Sequence, residues 1–137
     1  MSEPAPRETK RFLNPDALSP PAGYSHVVEA SAGRLFYISG QLPLDSNGEL
    51  VGAGEIAAQT RQVFDNLSAA LAAVGASWSE VVKLNYFLLD VGHVQTVRAI
   101  RDEYVDTGRP PASTLVEVSR LARDEALIEV EAIAVTS

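Results

Sequence analysis

Cysteine is absent from this chain of 137 residues, and that absence removes several chemistries at once. There is no disulfide frame, no thiolate nucleophile and no Cys-ligated metal or iron–sulfur cluster. Small secreted domains usually depend on disulfides, so the composition favours a reducing compartment. Histidine is scarce as well. Only His26 and His93 occur, too few for a His-rich metal site, and a Ser-His-Asp triad would have to use one of them. No apolar run approaches the length of about 20 residues that a membrane span requires. The start, Met1-Ser-Glu-Pro-Ala-Pro6, has no apolar signal core, so a soluble cytoplasmic protein with no membrane partner is expected. Basic residues number 11 against 18 acidic ones, a net charge of −7, with no Lys/Arg cluster. Binding to nucleic acid draws on neutralised phosphates, so nucleic acid is not an expected partner.

What is present suits one domain over residues 1–137. Hydrophobic residues make up 46% of the chain, and a chain of this size buries about two-thirds of its unfolded surface. Five of the eight prolines fall within residues 1–22. This predicts an irregular stretch over 1–22 with one short strand near Phe12, its first part, 1–12, a flexible N-terminal arm.

Strand signals follow at Tyr24–Ala30 and Arg34–Gln41, separated by the hairpin-like Ser31-Ala-Gly33. A helix is predicted from Glu55 to Val74, with Ile56, Val63, Leu67, Ala70, Leu71 and Val74 on its inner stripe. Gln59, Arg61, Asp65 and Ser68 are expected to face elsewhere, and Gly75 to provide a left-handed cap. Glu80–Asp90 reads as a buried strand and Val94 to about Val105 as a second helix, ended by Gly108-Arg-Pro-Pro111. Strands at Ser113–Leu121 and Ala126–Thr136 complete the chain. The order is β-β-β-α-β-α-β-β. It predicts an α+β two-layer sandwich, a mixed six-stranded sheet with two helices on one face.

Parity along the last strand is informative, because side chains alternate between sheet faces. Ala126, Ile128, Val130, Ala132 and Ala134 suit a face covered by helices. Leu127, Glu129, Glu131, Ile133 and Val135 share the other. An unpaired buried charge is costly, so the two carboxylates there require water, partners or an interface. Closed self-association is the simplest cover for such a face. Trp78 is expected in the core. Lys83, Arg98 and Arg101 read most simply as solvated or paired surface charges.

Three segments in this order resemble one family: Tyr37-Ile-Ser-Gly-Gln-Leu-Pro43, Ala58-Gln-Thr-Arg-Gln-Val-Phe-Asp-Asn-Leu67, and Val116-Glu-Val-Ser-Arg-Leu121 with Ile128-Glu-Val-Glu-Ala-Ile-Ala134. The chain from about Phe12 onward is similar to the reactive intermediate deaminases, the Rid or YjgF family. The resemblance implies a chorismate-mutase-like protomer in a homotrimer, its sheets packed as a central barrel and its pockets lying between subunits. It implies hydrolysis of short-lived enamines and imines, such as 2-aminoacrylate, to 2-oxo acids and ammonia, with no metal or organic cofactor.

By the same resemblance, Glu129 matches the glutamate that positions water, Tyr24 the tyrosine that closes the pocket, and Gly40 a backbone contact. The arginine that grips the substrate carboxylate in archetypal members is replaced by Ser113. A hydroxyl offers one donor and no charge, so it cannot reproduce that grip. Thr114 would help shape the pocket, and Arg109, four residues upstream of Ser113, is the expected candidate for a substitute cation. The resemblance thus leaves two functions: a small-molecule deaminase, or a non-enzymatic binder or regulator that uses the same cleft for a small metabolite.

Overall fold

A computed structural model describes residues 10–31 and 33–136. Its elements are β1 (Lys10–Leu13), β2 (Val27–Ala30), β3 (Arg34–Gln41), α1 (Ile56–Ala73), β4 (Val81–Leu88), α2 (Val94–Arg101), β5 (Ala112–Glu117) and β6 (Ile128–Thr136). Both helices lie on one face of a mixed sheet ordered β3-β6-β4-β5. β6 is antiparallel to both of its neighbours, while β4 and β5 run parallel through the α2 crossover.

The predicted six strands are present, but they do not form one sheet. β1 and β2 make a separate antiparallel pair, so the connection at 31–33 is not the expected hairpin between β2 and β3. Ahead of β2, the Ser25 amide and hydroxyl donate to the carbonyls of Pro111 and Pro110. These prolines accept hydrogen bonds but donate none, which ties this segment near the β5 edge without extending the ladder. Of the arm expected over 1–12, residues 1–9 lie outside the described residues, as does Ala32 in the connection; Lys10–Phe12 belong to β1.

The parity reading of β6 holds. Ala126, Ile128, Val130, Ala132 and Ala134 are buried under the helices. Ile128, Val130, Ala132 and Ala134 join Val63, Phe64, Leu67 and Leu71 of α1, Val97 of α2, and Leu84, Tyr86 and Leu88 of β4 in one core cluster. Phe64 anchors an aromatic cluster, its ring centroid 5.1 Å from Tyr104 and 5.5 Å from the stacked Trp78. Gly75 caps α1 at φ +71°, the left-handed conformation its position predicted.

Gln59 is a correction, because it is fully buried rather than outward-facing. Its Nε2 donates to Gly52 O at 3.1 Å and Glu125 O at 2.9 Å, and its Oε1 accepts from the Leu127 amide at 2.7 Å. One amide side chain thus joins α1 to two loops. This makes a polar residue acceptable in the core.

Candidate functional site

The sheet has two faces, and the sequence-selected residues divide between them. On the helix side, Tyr24, Tyr86, Val97, Arg98, Arg101, Ser113 and Leu115 line a cavity of about 30 Å³. Ser113 and Leu115 enter it because they stand beside Leu84 and Tyr86 in the β4–β5 register. Tyr24 is set by the anchored Ser25 that follows it and by an edge-on contact with His26, centroids 5.3 Å apart.

On the open face lie Glu129, Glu131, Asn85 and Thr114. Lys83 Nζ donates to Thr114 Oγ1 at 2.9 Å, and Asn85 Nδ2 to Glu131 Oε1 at 3.3 Å. Glu129 is different. Among the described residues no hydrogen bond or ion pair engages its carboxylate, which rests against Gly40, where β3 breaks register between Ile38 and Gln41. A Cβ on Gly40 would overlap Glu129 Oε2, so only glycine leaves that carboxylate in place.

Adjacent β-strand residues point to opposite faces, so Ser113 and Thr114 of one chain do not share a pocket. Within one chain, Tyr24 and Ser113 lie together on the helix side, and Gly40 and Glu129 lie together on the open face. Arg109 belongs to neither. Its guanidinium lies 4.5 Å from the Phe12 ring centroid and donates to Lys10 O at 3.3 Å, which fixes it on the β1–β2 pair.

Sequence reasoning missed Arg101 and Tyr86. Arg101 is no surface charge: its side chain is 8% exposed, and its guanidinium packs on Gly23, where a Cβ would collide with Nη2. A signal was available. Spacing of four from Val97 and three from Tyr104 puts Arg101 on the inward stripe of α2. Tyr86 is 3% exposed. Burial, the largest effect, pushes its hydroxyl pKa well above the ordinary phenol value, so the group stays protonated. Among the described residues, no group of three or more His, Asp or Glu side chains converges as a metal site, and no helix is long and apolar enough to cross a membrane.

The family model described as Endoribonuclease L-PSP matches residues 14–136. The chain belongs to this family, the Rid/YjgF/RutC proteins. Among the relatives of this Rid protein is Protein DfrA of Myxococcus xanthus, 40% identical over 122 residues and 89% of each chain. The 3-aminoacrylate deaminase RutC of Acinetobacter baylyi is 34% identical over 125 residues, covering 91% of this chain and 97% of that one. A crystal structure of YyfB, a Rid family protein of unknown function from Yersinia pestis, superposes with a TM-score of 0.83. It is 38% identical, with 92% of this chain and 98% of that one covered.

Proposed function

We propose that this Rid protein hydrolyses a small enamine or imine, releasing ammonia, in a cleft completed by a second copy of the chain. One copy supplies Tyr24 and Ser113, and its neighbour supplies Gly40 and Glu129. An enamine first tautomerises to the imine. Water then adds to the imine carbon, and Glu129 takes the proton from water and returns it to nitrogen. The carbinolamine collapses to a carbonyl product and ammonia. Carboxylates commonly serve as general bases of this kind.

The observation that carries this reading is the Glu129 carboxylate, which no described residue engages and which Gly40 leaves room for. The deaminase among the relatives supports the reaction class. The replacement of the archetypal arginine by Ser113 favours the second reading, a binder or regulator that holds a metabolite without turning it over.

The test is ammonia and 2-oxo acid release from freshly generated 2-aminoacrylate by wild type and Glu129→Gln. The expected outcome is a loss of about 100-fold or more in kcat for the variant, in keeping with a lost general base. Equal rates for the two proteins, or none above background, would refute the deaminase reading. Ligand-induced thermal stabilisation without ammonia would then select the binder.

A further inference from the structure

We propose that the Arg101 guanidinium, with the Tyr86 hydroxyl beside it, is the receptor for a single carboxylate of the small-molecule ligand. This inference deepens the reading above and takes its ligand class from it. The cation expected on β5 is supplied instead by the last turn of α2, from beneath the sheet.

The argument is an inventory of donors. A guanidinium carries five N–H donors in a fixed fork. Arg101 donates through Nε to Asp102 Oδ1 at 3.0 Å, and its Nη2 makes an ion-pair contact of 2.9 Å with the same oxygen. No further hydrogen bond of good geometry engages it among the described residues. Tyr86 Oη is buried and has no hydrogen-bond partner, yet both residues line the cavity with Ser113 and Tyr24. A buried polar group without a partner is destabilising, and here two guanidinium groups and this hydroxyl line one cavity that no carboxylate lines.

The missing component is therefore an acceptor, and charge makes it an anion. Arg98 lines the same cavity, while Asp102, half-exposed, offsets only one of the two cations. Size narrows the class. A cavity of about 30 Å³ exceeds the roughly 10–15 Å³ that one water needs. It has room for the two oxygens of a carboxylate head. Planar bidentate recognition is what a guanidinium offers a carboxylate. Gly23 completes the fit at φ +79°, lying where any side chain would displace Nη2.

The experiment is equilibrium binding of pyruvate, a carboxylate product of the proposed reaction class, and of neutral pyruvamide by calorimetry on the full chain. Wild type is expected to bind pyruvate at least tenfold more tightly than pyruvamide. Arg101→Gln should weaken pyruvate binding by about 10- to 100-fold, Tyr86→Phe by a few fold, and Arg109→Gln not at all, as expected for charged and neutral hydrogen bonds. Arg101→Lys should recover part of the loss. Unfolding midpoints report whether each variant folds, and Tyr86→Phe keeps the test alive if Arg101→Gln does not. Pyruvate binding that is absent in wild type, equal to that of pyruvamide, or unchanged in folded Arg101 and Tyr86 variants overturns the proposal. The two readings fail separately, because pyruvate binding that depends on Arg101 but accompanies no turnover leaves the receptor standing and removes the deaminase.

Discussion

Gln59 and Gly40 show how single residues set this molecule. Gln59 sits in an apolar core, yet its amide satisfies two carbonyls and one N–H from chain segments far apart in sequence. Gln59→Leu would preserve approximate volume and leave those three groups unpaired. Each buried unpaired group costs about 1–3 kcal/mol, so a destabilisation of about 3 kcal/mol is expected, read from urea unfolding. A variant within 0.5 kcal/mol of wild type, roughly the scatter of ordinary surface substitutions, would contradict this account. Gly40 acts differently. Its φ is not positive, so its glycine requirement comes from the space the Glu129 carboxylate occupies rather than from backbone strain.

Among the elements, α1 and the turn after α2 are joined by a polar contact at the protein edge. Tyr104 Oη donates to Asp65 Oδ1 at 2.7 Å while its ring packs on Phe64. Burial first, and then this hydrogen bond to a carboxylate, pushes the Tyr104 hydroxyl pKa up to about 12. In the unfolded chain the phenol titrates near about 10. Between these values the unfolded state has lost a proton that the folded state retains, so stability falls as pH rises through that window. The contribution is fully present below about pH 10. Tyr104→Phe is expected to flatten the decline in urea midpoint between about pH 10 and about pH 12. The buried Tyr86 shifts in the same direction and keeps some slope in the variant. An unchanged slope would show that Tyr104 ionisation is not coupled to unfolding.

For the whole molecule, the open sheet face is the one that neither helix covers. Tyr37 is 75% exposed and Leu35 53%, and Glu129 is on the same side. Large exposed apolar groups beside polar ones mark association surfaces. The proposed function requires that face to meet other copies, because Glu129 and Ser113 of one chain lie on opposite faces. Light scattering is expected to give a trimer for wild type and a monomer for Tyr37→Asp, with deaminase turnover lost in the variant. A monomeric wild type with full activity would remove the shared cleft.

The order of strands and helices was legible because hydrophobic period and turn chemistry are local properties. Alternation exposed the buried face of β6, and three segments in order, the last of them including Glu129, pointed to the family. The local chain could not reveal that β1 and β2 would pair apart from the main sheet, nor that Ser25 ahead of β2 would meet Pro110 across 85 residues. Nor could it settle the status of Arg101. A charged side chain on an inward stripe is compatible with a surface pair until its surroundings are known. Tertiary structure decided the matter by placing Gly23, Tyr86 and Asp102 around its guanidinium. Periodicity determines which side of an element a residue occupies; only the packing of distant segments determines what it meets there.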